Sequence, residues 1–169
     1  MKRAANQKKK QNGVTIVEFT IVASLFFILI FSIIEFGRLM FTWHTLNETS
    51  RRTARLASVC QVSTAEQTDI ISTALIDSVS LPNFTAANIQ LRYLDENGNE
   101  IGNEDGSKAD LTTVANFNSI AFVEASIINY QISLIIPLAF FGVDFTAPGF
   151  STMLPRESLG VTRTGFTDC

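Results

Sequence analysis

The sequence predicts an α+β fold in which a long N-terminal helix packs on a small C-terminal antiparallel sheet. Three observations carry that expectation. Residues 14–34 are overwhelmingly apolar and hold a single ionisable side chain, Glu18. Residues 35–59 keep apolar and small residues at steps of three and four, the period of one helix face. From Ile89 onward an alternation of two takes over, the period of a half-buried strand.

Residues 1–13 form a basic leader, MKRAANQKKKQNG, in which Lys2, Arg3, Lys8, Lys9 and Lys10 meet no acid. The apolar run that follows rises about 30 Å as a helix, the thickness of a bilayer's hydrocarbon core, and is expected to cross a membrane. It is too long for the apolar region of a secretory signal, and no small-residue cleavage site follows it. Five positive charges precede the span, whereas Arg38, Arg51, Arg52 and Arg55 follow it, so a cytoplasmic N-terminus is favoured by a narrow margin. Glu18 stands out, because an acid within such a segment costs roughly 2.5–3.5 kcal/mol near the bilayer centre and calls for a partner.

Beyond Ile34, the residues Phe36, Leu39, Met40, Trp43, Leu46, Ser50, Thr53, Ala54 and Ala57 recur at helical spacing, with Arg38, Glu48, Arg51, Arg52 and Arg55 on other faces. The helix is therefore expected to leave the membrane as an amphipathic rod over 35–59, with Glu48 paired to Arg51 or Arg52. Glu35 and Arg38 lie one turn apart at the membrane boundary and read as a local ion pair. Gly37 is either a point of close helix approach or a tolerated interior glycine. Trp43 is placed as an interfacial anchor, and His44 as a surface residue.

Residues 60–169 are assigned to an extracytoplasmic α+β domain. Ser63 and Glu66 have the spacing of a capping box ahead of the stripe Ile70, Ile71, Ala74, Leu75 and Val79, and Leu81-Pro82 closes that second helix. Ile89, Leu91 and Tyr93 alternate with Gln90 and Arg92, and a turn around Asn97-Gly98 follows. The longest strand is expected from Ala121 to Ile136, with Phe122, Ile128, Tyr130, Ile132, Leu134 and Ile136 on one face and Pro137 at its end. Residues 151–163 carry a weaker strand pattern.

Composition narrows the function. Of 13 basic residues five lie in the leader, so the remainder carries eight against 16 acidic residues, a net charge of −8. Such a surface does not suit nucleic acid, which needs clustered positive charge. No G-x-S-x-G, H-E-x-x-H, P-loop or C-x-x-C pattern occurs, and there is one histidine. Neither catalytic residues, nor a cofactor, nor a metal ligand set is therefore expected. Asp95, Asn97 and Asn99 imitate a calcium loop, but Glu100 replaces the glycine of its turn and Gly106 its bidentate acid, so a solvated acidic turn is preferred. Asp95, Glu96 and Asp144 are the only acids to nominate for an envelope enzyme. Cys60 and Cys169 both follow the span, which suits an oxidising compartment and a Cys60 to Cys169 disulfide, two free thiols being the alternative.

The leader ending in Gly13, then Val14, then Glu18-Phe19 in VTIVEF, resembles the processing signature of type IV pilin-like proteins. The continuation IIEFGRLMFTWHTLNETSRRTARLA is similar to the TadE-like minor pilins, or pseudopilins, of tight-adherence (Flp) pilus systems, and STMLPRESLG resembles that family's C-terminal portion. The resemblance implies a type IV pilin-like fold and cleavage between Gly13 and Val14 by a prepilin peptidase. It implies that Glu18, with Phe19, sets subunit register by pairing with a neighbour's new amino terminus. It also implies residence in the bacterial inner membrane, either entry into the pilus or a place at its base, and other major or minor pilins and an inner-membrane assembly platform as partners. The rival reading is an uncleaved, signal-anchored envelope protein whose outer domain binds a ligand.

Overall fold

The protein is described by a computed structural model over residues 13–78, 81–102, 109–134, 145–163 and 165–166. Helix α1 runs unbroken from Val14 to Val59, about 69 Å at 1.5 Å per residue. No proline interrupts it. Its hydroxyl side chains bond back to carbonyls one turn earlier: Thr20 to Ile16 at 2.8 Å, Ser24 to Thr20 at 2.7 Å and Ser32 to Ile28 at 2.7 Å. Each of these three hydroxyls is thus satisfied within the helix, as an apolar surrounding requires.

The second half of α1 packs on the domain through Thr42, Leu46, Thr49, Ser50, Thr53, Ala54, Ala57 and Ser58, all buried. These side chains are small, so the helix lies close to the sheet, and their hydroxyls again bond to α1 carbonyls. The expected stripe is corrected at its start. Phe36 is 64% exposed and Met40 36% exposed, because they lie on a side of the helix turned away from Glu35, which is already buried, and from Thr42 and Leu46.

After α1, Ser63 caps α2, Thr64–Asp77, its hydroxyl accepting the Glu66 N–H at 3.3 Å. The helix ends four residues before Leu81, with Ser78 as its C-cap, so Pro82 is not what stops it. Val79 lies outside the described residues. A 3-10 turn at Ala86–Asn88 leads into β1, Ile89–Leu94. A short helix α3, Val114–Ser119, has no counterpart in the sequence expectation.

Strand β2, Phe122–Ile127, is central in a three-stranded sheet of order β1-β2-β5, where β5 is Phe150–Pro155 and both pairings are antiparallel. The register pairs Ile89 with Ile127, Leu91 with Ala125 and Tyr93 with Val123, and these side chains share the inner face under α1. The single strand expected over Ala121–Ile136 is therefore corrected in two respects. It ends at Ile127, and Asn129 at φ 53° turns the chain before β3, Gln131–Ile132. The turn also changes the phase of burial, so Val123, Ala125 and Ile127 face the core in β2, but Tyr130 and Ile132 do so after it. Phe122 and Ile128, expected on the core face, are only partly buried. Ile136, Pro137 and Asp144 lie outside the described residues. Strand β3 pairs with β4, Phe145–Thr146. The stretch 151–163 likewise divides, into β5 and then β6, Val161–Thr162, which forms a hairpin with β7, Gly165–Phe166.

Two clusters fill the space between sheet and helices. The one nearer the apolar end of α1 gathers Leu46, Ala74, Ile89, Ile127, Tyr130 and Ile132. The distal one gathers Ala54, Ala57, Cys60, Ile70, Tyr93, Val123 and Leu159.

Candidate assembly interface

Val14 follows directly on Gly13, whose carbonyl accepts the Val17 N–H at 3.3 Å and so opens the helix. Glu18 sits one turn from Val14 on the same helix face. Both are exposed, as is Phe19, and Glu18 makes no hydrogen bond or ion pair among the described residues. Of the large apolar side chains between Val14 and Ile34, nearly all are more than half exposed. Among the described residues nothing covers this surface. One helix long and apolar enough to cross a membrane is present among the described residues, and an apolar helix with this exposure fits a membrane anchor.

At the boundary, Arg38 donates to the Glu35 carboxylate and also to the backbone carbonyl of Ser133. The expected local pair is therefore part of a longer tie, from α1 across to the loop after β3. Nothing in the sequence pointed to Ser133, because a backbone acceptor leaves no side-chain signature. Gly37 has open space where a Cβ would stand, so nothing among the described residues requires glycine there. Trp43 is half-buried against the proximal core cluster. His44 is exposed, as expected.

Higher on α1, Glu48 pairs with Arg52 at 2.9 Å rather than with Arg51. The hydrogen bond from Arg52 is the main reason the Glu48 carboxyl is held below its usual pKa, with the nearby charges of Arg52, Arg51 and His44 adding to it.

The distal end of α1 is clamped by the segment Glu157-Ser158-Leu159-Gly160. The N–H groups of Glu157 and Leu159 both donate to the Ser58 carbonyl at 3.2 Å, and that of Gly160 to the Val59 carbonyl at 2.6 Å. Carbonyls that a helix end leaves without intrahelical donors are thereby satisfied. Leu159 and Gly160 both take positive φ, 47° and 78°. A Cβ on Gly160 would lie 2.8 Å from the Cα and N of Gln61. The family-like string STMLPRESLG thus acquires a structural meaning: its first half is β5 and its last four residues are the clamp. Beside it, Cys60 is fully buried and disulfide-bonded; Cys169 lies outside the described residues.

The hairpin after β1 is built on Asp95. Its carboxylate accepts the N–H groups of Asn97 and Asn99, both at 2.8 Å, and Gly98, at φ 81°, completes the turn. The backbone hydrogen bond from Asn99 is the largest cause holding the Asp95 carboxyl below its usual pKa. The carboxylate is thus engaged in the local turn; Gly106 lies outside the described residues. No group of three or more His, Cys, Asp or Glu side chains suited to a metal occurs among the described residues. A cleft of about 400 Å³ is lined by Thr64, Gln67, Tyr93, Glu100 and Asp110 among others. The Tyr93 ring is buried, its hydroxyl has no hydrogen-bond partner among the described residues, and burial, with the charge of Glu66, pushes its pKa well above the usual phenol value.

Neither curated proteins nor solved structures provide a match to the chain. A family comparison does. Residues 13–55, which take in the apolar half of α1 and most of its amphipathic half, match the family model of TadE-like protein, so this part of the chain is similar to TadE-like protein.

Proposed function

We propose that the protein is a minor pilin, or pseudopilin, that takes part in assembly, initiation or regulation of a tight-adherence (Flp) pilus. The observation that carries this reading is the TadE-like match over residues 13–55. It includes the apolar half of α1, residues 14–34, which the described residues leave without cover, and runs on into the half that packs on the domain. In this reading a prepilin peptidase cuts between Gly13 and Val14; a glycine on the leader side suits a narrow protease cleft, since it has no Cβ. The freed Val14 amine of one subunit then meets Glu18 of its neighbour, which lowers the cost of holding both charges among apolar helices. The remaining partners are other major or minor pilins, the inner-membrane assembly platform and the bilayer. The anchor sits in the inner membrane with its N-terminus cytoplasmic and the domain outside, from where the protein enters the fibre or acts at its base. The protein works by non-covalent packing rather than by catalysis.

Intact-mass measurement and N-terminal sequencing of the chain from a host carrying the peptidase test the processing step. The expected product begins at Val14, and Gly13→Ala blocks its formation. Glu18→Gln is expected to leave processing intact and to weaken incorporation into sheared pili. A chain from such a host that still begins at Met1 would favour the alternative of an uncleaved signal-anchored protein, whose outer domain would then use the cleft beside Tyr93 for a ligand.

A further inference from the structure

Strand β5 is an edge strand, hydrogen-bonded on one side only among the described residues. The Arg156 N–H bonds to the Ala121 carbonyl at 2.9 Å, which sets the alternation of the ladder. By that alternation Thr152 and Leu154 turn their peptide groups toward β2, whereas Ser151 and Met153 turn theirs to the open side. Pro155 also stands at an outward position, where the sheet needs no donor. The backbone of this edge is therefore available to another extended segment.

A groove of about 310 Å³ runs along the same edge, walled by Thr152 and Leu154 of β5 and by Glu48, Arg51, Arg52 and Arg55 of α1. Glu48 is paired with Arg52. Arg51 and Arg55 are exposed, one turn apart, and enter no ion pair among the described residues. They repel one another at this spacing. Lipid does not supply the missing negative charge, because Arg51 lies about 25 Å beyond Ile34 along the helix and the headgroup layer is only about 5–8 Å thick.

We propose that the β5 edge and the Arg51–Arg55 flank together form a docking site for an extended acidic segment of a partner polypeptide, which joins the sheet as its fourth strand. Main-chain bonds to Ser151 and Met153 hold the segment, and acidic side chains on its α1-facing side meet Arg51 and Arg55. The spacings agree: one helical turn advances about 5.4 Å, and side chains on one face of a strand repeat every 6.4–6.8 Å or so, within the reach of flexible arginines. The proposal uses only the edge and the helix flank, and it stands apart from the pilus reading.

The test titrates two synthetic peptides of about ten residues, one alternating valine with glutamate and one alternating valine with lysine, onto the full-length chain in detergent micelles. Affinity is read by fluorescence anisotropy and location by amide hydrogen exchange. The valine–glutamate peptide is expected to bind saturably and to slow exchange at Ser151 and Met153, while the lysine peptide does not bind. Arg51→Glu with Arg55→Glu should weaken binding about tenfold or more, as should raising salt from about 50 to about 500 mM. Met153→Pro should also weaken it, by removing an outward donor that the sheet does not use. Absence of saturable binding, equal binding of the lysine peptide, or binding that leaves Ser151 and Met153 exchanging as in the free chain would each overturn the proposal.

Discussion

Replacing Gly160 with alanine tests whether the clamp on the end of α1 is what fastens the rod to the domain. The backbone there is at φ 78°, so a Cβ meets the steric cost of the left-handed region, about 1–2 kcal/mol. The added atom would also stand 2.8 Å from the Gln61 backbone, which is not the movable end of a flexible side chain. Restoring ordinary contact requires a separation of roughly 0.6 Å or more, and the Gly160 bond to Val59, now 2.6 Å, must lengthen or tilt in response. The weakened hydrogen bond adds about 1 kcal/mol. The total expected destabilisation is about 2–4 kcal/mol. Gly98 supplies the control: its φ is 81°, but its Cβ would meet open space, so Gly98→Ala should carry only the backbone cost. Guanidinium unfolding of the full chain in detergent, followed through the single tryptophan Trp43, measures both variants. The reasoning is refuted if Gly160→Ala costs no more than Gly98→Ala.

Removing the unpartnered hydroxyl with Tyr93→Phe should leave stability unchanged or raise it by about 1 kcal/mol, because a buried group without a hydrogen-bond partner is being deleted; the same unfolding assay reads it, and a clear loss would show that the hydroxyl has a role. Asp95 has a depressed pKa in the folded hairpin, so its contribution is present above the unfolded value and is lost as pH falls through the lower, folded one. The amide shifts of Asn97 and Asn99 should accordingly move together on acidification, with a midpoint below that of an ordinary aspartate. Cys60→Ser should lower stability by as much as about 4–5 kcal/mol if its bond closes the long loop to Cys169, and non-reducing mass mapping of the wild-type chain checks that pairing directly.

Periodicity made α1 legible because its two halves carry strong and different patterns, apolar all round and then apolar on one face. The bounds Val14 and Val59 follow from where those patterns begin and stop. The inner face was harder to read. Thr42, Thr49, Ser50, Thr53 and Ser58 are buried hydroxyl residues, which a hydrophobic pattern passes over, while Phe36 and Met40 satisfy the pattern and remain exposed. The strand near Ile127 was overextended because Asn129 turns the chain and shifts the phase at once, so the alternation seems to continue across a break. The element α3 had no sustained apolar period to show. At the candidate interface, Gly13, Val14 and Glu18 were visible as a motif. The fastening points were not, because Arg38 ends on the backbone of Ser133 and Gly160 on that of Val59.

Those two fastenings, one near the membrane boundary and one at the distal tip, leave the domain no freedom to swivel about α1. The rod then behaves as a gauge as well as an anchor. A single residue inserted between Ile34 and Glu35 would lift the domain by about 1.5 Å and turn it by about 100° relative to Glu18. The number of residues between Glu18 and Arg38, rather than their chemistry, thus sets which side of the domain faces a neighbour whose anchor lies against the Glu18 face.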